Sequence, residues 1–187
     1  MMNKFFKILT ASVMLIAILV ISGCGGGDNF EGKWVTTKNS SFSKFDGSDY
    51  KQLTIEKNGD SYLLTEVKSS YNLKEKKIGN KGFLPIFDAT FVWETKKPAQ
   101  ISAKADGDNR LAIDTMFGKM TVTYVEKDGT LLIGKEVYTK EKDGDMQKFK
   151  EEEQKRLQAL YDADDMGFYH KESFNSFGFA DAPTDKK

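Results

Sequence analysis

The chain is 187 residues long, balances 28 basic against 28 acidic side chains, and contains one cysteine and one histidine. The length suits a single domain, and the charge balance gives no field that would draw nucleic acid or an anionic membrane to the protein as a whole. One thiol excludes an internal disulfide. One histidine without a second thiol excludes His- or Cys-based catalytic triads and the ordinary zinc sites.

The first 23 residues read as a secretory signal: Lys4 and Lys7, then an apolar run from Ile8 to Ile21 broken only by Thr10 and Ser12, then Ser22 and Gly23. A transmembrane helix is the alternative, but the apolar run is short for a span and no basic residues follow it. A secreted protein with a buried free thiol is another. Ile21-Ser22-Gly23-Cys24 resembles the lipobox of bacterial lipoproteins. The resemblance implies a thioether-linked diacylglycerol on Cys24, removal of residues 1–23, and acylation (palmitate) of the new amino terminus. It also implies a lipid-anchored place in the cell envelope, on the outer membrane of a Gram-negative source or the outer face of a Gram-positive plasma membrane. Residues 24–29, with Gly25-Gly26-Gly27, form a flexible tether.

From residue 30 the chain acquires a rhythm. Turn signals fall at Asn58-Gly59-Asp60, Gly79–Gly82, Lys97-Pro98, Asp106–Asn109, Phe117-Gly118 and Asp128-Gly129. Between them apolar and polar residues alternate, as in Leu53 and Ile55, Phe91 and Trp93, Leu111 and Ile113, Met120, Val122 and Tyr124, and Leu131, Ile133 and Val137, the last set leaving Tyr138 on the opposite face. Turns at this spacing predict sequential antiparallel strands, here eight of them over 32–38, 50–57, 60–68, 87–96, 99–105, 110–117, 119–127 and 130–139. Ser69 to Asp88 breaks the rhythm with a basic patch and Phe83-Leu84-Pro85-Ile86-Phe87. Pro85 argues against a central strand, leaving a bulged edge strand or a long loop.

After the strands, Asp145 reads as the N-cap of a helix from Met146 to Asp162, whose apolar stripe is interrupted by Glu153. Residues 162–187, with the lone His170, read as a loose tail. Asp143-Gly144-Asp145 and Asp106–Asn109 have a faint look of calcium loops, but they lack the later bidentate glutamate and serve more simply as turns.

Eight meandering strands avoid exposed edges by closing into a barrel that is filled by side chains or holds one small ligand. Phe30-Glu31-Gly32-Lys33-Trp34 at the start of the first strand, together with the trailing helix, resembles the lipocalin and fatty-acid-binding (calycin) superfamily. The resemblance covers residues 30–161 and implies an all-β, up-and-down eight-stranded barrel with one C-terminal α-helix. It also implies a Trp34 plug at the closed end and a ligand site whose mouth is formed by Phe83, Leu84, Ile86 and Phe87 and whose interior includes Leu53, Ile55, Phe91, Trp93, Ile113, Val122, Tyr124 and Ile133. Two functions follow as expectations. One is a membrane-anchored, non-enzymatic module binding a small, largely apolar ligand. The other is an envelope lipoprotein with a filled barrel that contacts a partner protein, as an assembly accessory, inhibitor or immunity protein. Neither calls for catalytic residues, a cofactor, a metal or nucleic acid.

Overall fold

Short alternating segments between glycine turns dictate extended chain, and the computed structural model, which describes residues 29–38 and 44–183, contains ten strands and one α-helix among those residues. In chain order these are β1 (Gly32–Lys38), β2 (Asp49–Asn58), β3 (Ser61–Lys81), β4 (Leu84–Thr95), β5 (Ala99–Ala105), β6 (Arg110–Thr115), β7 (Gly118–Val125), β8 (Thr130–Ile133), β9 (Glu136–Lys140), α1 (Asp145–Asp162) and β10 (Phe174–Asp181).

Eight strands close a barrel in the order β1-β2-β3-β5-β6-β7-β8-β9, each antiparallel to the next, with β9 returning to β1. The expected all-β barrel with one helix is therefore the fold, and the number of staves is eight. Their identity differs in two places. The segment 87–96 is not a stave, and 130–139 supplies two, because Gly134 adopts φ 61° and reverses the chain between β8 and β9. That reversal also changes the phase of the alternation, so Tyr138 points into the barrel and Val137 is half exposed.

β3 explains what became of the irregular stretch. It is one strand of 21 residues. Its first part pairs with β2 and β5, and the rest pairs with β4 as a long hairpin that leaves the barrel. β4 and β5 lie end to end along the same edge of β3, separated by Lys96–Pro98. Pro85 is tolerated because β10 begins pairing only at Phe87, so position 85 lies in a two-stranded section with one edge open.

Two cores result. The barrel interior holds Trp34, Leu53, Ile55, Leu64, Leu111, Ile113, Val122, Leu131 and Tyr138. The second core lies outside the barrel wall, where Val35, Tyr50, Tyr71, Phe91 and Trp93 meet Leu157 of α1, Phe45, Met166 and Phe174. Phe91 and Trp93, expected inside the barrel, belong to this second core. The segment expected to be a loose tail is ordered through residue 183: β10 adds to β4 in parallel, and Phe179 stacks on Phe91 while Phe177 stacks on Tyr161 at 4.0 Å. Each such pair adds about 0.5–1.5 kcal/mol beyond area burial. Among the described residues, both cores are built from positions 30–179.

α1 starts one residue earlier than expected. Gly144 at φ 87° is its N-cap, and the Asp145 carboxylate instead accepts the Lys142 backbone N–H at 2.8 Å. Glu153, the gap in the apolar stripe, is buried. It accepts the Ser48 backbone N–H at 2.6 Å and the Arg156 guanidinium, whose Nη2 also donates to the Asp46 carbonyl. This ion pair fastens the segment before β2 to the helix. Gly47 lets that segment lie against β3, since a Cβ there would come within 2.1 Å of the Tyr71 carbonyl oxygen.

Candidate functional site: the barrel mouth

The two ends of the barrel differ because the interior residues of each strand change character along it. At one end the interior positions are aromatic. Trp34 is fully buried and donates from Nε1 to the Phe30 carbonyl at 2.7 Å. Phe30 meets Tyr62 and Tyr124 edge-on, and Tyr124 does the same to Trp34. Lys140 lays its ammonium 3.8 Å above the Trp34 ring and donates to the Glu31 carbonyl. Gly32, at φ 114°, takes a conformation that favours glycine, and a Cβ there would meet the Lys140 ammonium at 3.0 Å. This end is plugged.

At the other end a cavity of about 430 Å3 opens between two unlike walls. One wall is apolar, with Ile101 of β5, Ile113 of β6, Met120 of β7 and Ile133 of β8. The facing wall carries Glu66 of β3 and Glu136 and Tyr138 of β9, above Leu53 and Leu64. Lys51 stands behind it, buried, and donates to both Glu136 carboxylate oxygens at 2.6 Å. The Tyr138 hydroxyl lies 3.1 Å from Glu136 Oε2 and 3.4 Å from Glu66 Oε2, so its single proton serves one carboxylate at a time. Lys68 bridges Glu66 at 3.1 Å.

These contacts fix protonation. The hydrogen bond from Lys51 holds the Glu136 carboxyl below its ordinary value, although burial acts the other way. Burial, and after it the charges of Glu66 and Glu136, push the Tyr138 hydroxyl well above the usual tyrosine range. At neutral pH Glu136 is a carboxylate and Tyr138 a neutral phenol. These are groups that orient a ligand by hydrogen bonds.

Of the residues expected at the ligand site, Leu53, Ile113 and Ile133 line this cavity, whereas Phe83, Leu84, Ile86, Phe87, Phe91, Trp93 and Tyr124 do not. Phe83 is fully exposed and Leu84 exposed at the tip of the β3–β4 hairpin, while Ile86 and Phe87 are half-buried on β4. Phe91 and Trp93 lie in the outer core, and Tyr124 belongs to the plug. Cys24 lies outside the described residues. The residues that sequence reasoning missed had a signal. Lys51 is in phase with Leu53 and Ile55, and Glu66 with Tyr62 and Leu64, so both are charges at positions that face the barrel interior.

Among the described residues no three His, Cys, Asp or Glu side chains converge as a metal site. Asp164 and Asp165 are engaged within the fold, with the Lys171 backbone N–H and with Lys44. Comparison with protein-family models, curated proteins and solved structures gives no significant match to this chain.

Proposed function

We propose that this protein is a membrane-anchored, non-enzymatic binding module, lipocalin-like in plan, that takes a small and largely apolar ligand into the barrel mouth. The observation that carries the reading is the 430 Å3 cavity, plugged at one end by Trp34 and bounded by one apolar and one hydrogen-bonding wall. Small-molecule sites commonly occupy ~300–1,000 Å3 and combine apolar walls with a few placed polar groups. The apolar body of a ligand would lie against Ile101, Ile113 and Met120, with its polar end toward Glu66, Glu136 and Tyr138.

The anchor is part of the same proposal. A lipidated Cys24 would hold the domain in the cell envelope through a tether of a few residues. Asn29, the last residue of that tether, adjoins Phe30 of the plug, so the mouth would open away from the anchoring membrane. A second reading is a partner-binding envelope lipoprotein. It draws on Met116 and Phe117, nearly fully exposed at the β6–β7 tip beside the mouth. The cavity weighs against the filled barrel which that reading expects.

Native mass spectrometry of the chain purified from its host tests the ligand reading. A co-purifying small molecule that is absent from the Ile101→Trp variant supports it, because a tryptophan at this half-exposed rim position would occupy the mouth. An empty wild-type barrel that also fails to take up an apolar fluorescent probe would sink it.

A further inference from the structure

The barrel mouth leaves one large feature unused. Past Phe87 the β3–β4 hairpin is a two-stranded ribbon. β2 stops pairing with β3 at Ser69, and β10 reaches β4 no further than Phe87. Every residue from Lys74 to Leu84 is exposed. A bare two-stranded ribbon is marginal in water by itself. This one has its base stitched by β10 and the outer core, while its far end buries no side chain and meets the rest of the described chain through polar contacts such as Lys81 with Glu172.

The far end has a distinct chemistry. Ile78 is displaced from the ladder by a bulge between Lys77 and Gly79 and is about half exposed, Leu84 is similar, and Phe83 at the turn is fully exposed. Behind this apolar tip stand Lys74, Lys76, Lys77 and Lys81 against Glu75 on β3 and Asp88 on β4, the latter across the ladder from Lys76, in a chain that is neutral overall. The register places Lys74 and Lys76 on one face and Lys77 on the other. Lys74 bridges Glu94 at 2.9 Å and Lys81 stands 3.9 Å from Glu172, whereas Lys76 and Lys77 form no salt bridge among the described residues.

We propose that this arm is a membrane-docking finger for an anionic phospholipid surface. The apolar tip would enter the boundary between headgroups and acyl chains, and the lysines, placed on both faces of the ribbon, would reach the surrounding phosphates. Long basic side chains bury their stems and keep their charge at such a boundary. Lysines on both faces suit a planar anionic layer that surrounds the ribbon. A protein groove would cover one face and leave the charges of the other unused. Each lysine near an anionic leaflet raises affinity by about fivefold, and the effect is confined to roughly a Debye length. The finger is separate from the barrel mouth, so it stands or falls independently of the ligand reading. It leaves the barrel on the side away from the plug, so in an anchored protein it would reach a lipid surface other than the one the tether holds.

The test uses the chain from Asn29 onward, which carries both cores but not the apolar leader, mixed with sedimentable vesicles of phosphatidylcholine alone or with one-third phosphatidylglycerol. The expected result is association with the anionic vesicles only, lost at high salt. Lys76→Ala with Lys77→Ala should weaken it by roughly twentyfold, and Phe83→Ser by roughly tenfold. All these positions are exposed, so the variants keep the wild-type unfolding transition. A Phe83→Trp variant should show its emission shift to shorter wavelength when anionic vesicles are added. No association, equal association with neutral vesicles, or association with no shift at position 83 would overturn the proposal. So would an arm that captures a purified acidic protein while ignoring vesicles, which would make it a protein contact instead.

Discussion

Lys51 reaches past β1 to place its ammonium 2.6 Å from both carboxylate oxygens of Glu136, two strands away around the barrel. The intervening β1 residue, Thr36, is paired with Lys51 and short enough to leave the path open. Two interior charges therefore satisfy each other, and the cavity wall they form stays fixed without a ligand.

Replacing Lys51 by Met leaves Glu136 without its main partner. Because Glu136 retains about a third of its side-chain exposure, the expected loss is moderate, about 1–2 kcal/mol. The loss should depend on pH. A folded-state pKa held below the ordinary 4.5 contributes stability that is present above that value and disappears as pH falls through the folded one. Denaturant titrations of wild type and Lys51→Met should converge on acidification. A gap independent of pH would show that the ion pair is not what the lysine contributes.

The Glu153–Arg156 pair offers a second test. Burial works against the Glu153 carboxylate, but the Arg156 and Ser48 hydrogen bonds together outweigh it and hold its pKa low. Glu153→Ala strands the Ser48 N–H and the guanidinium, and should cost about 2–4 kcal/mol. Hydrogen exchange should show residues 44–48 opening faster in this variant while the barrel strands keep their protection. Uniform loss of protection would mean that the staple serves the whole fold.

Trp34→Ala removes the plug and should destabilise by about 3–5 kcal/mol, measured as a shift in denaturation midpoint. Gly32→Ala should also destabilise, through the positive φ and the contact with Lys140. If Gly32→Ala matches wild type, the tight turn into β1 is not required.

Removing residues 174–187 strips β10 from β4 and uncovers Phe91, Phe45 and Tyr161. The shortened chain is expected to lose its cooperative unfolding transition or to aggregate, as large exposed apolar surfaces do. A soluble, cooperatively folding product would show that the barrel needs neither β10 nor the outer core.

The barrel was legible because its signals are local. Glycine turns and period-two alternation are written in adjacent residues, and Trp34 and Gly32 announce the plug within one short motif. What was misread depends on distant partners. Phe91 and Trp93 alternate as barrel residues would, and only the pairing of β4 with the outer half of β3 puts them outside. The aromatic residues of 174–179 looked unattached because their strand pairs with one almost ninety positions earlier. The cavity wall was overlooked for a different reason. Lys51, Glu66 and Glu136 are charges at interior positions, and apolar periodicity marks only the apolar part of a lining. Val137 and Tyr138 exchanged places because a two-residue reversal at Gly134 shifts the phase.

The pairing of β10 with β4 also sets an order of events. Antiparallel neighbours such as β6 and β7 can form as soon as both exist, whereas β1 must await β9 and β4 must await β10. Contacts between distant parts of a chain form slowly, because a long loop must close before they are rewarded. At ~5–20 residues per second of synthesis, several seconds separate the appearance of Phe91 from that of Phe177 and Phe179. Throughout that interval Phe91 has no β10 to stack against. The nascent chain therefore stays adhesive along β4 until nearly all of it has been made, and the second core can close only as one of the last steps of folding.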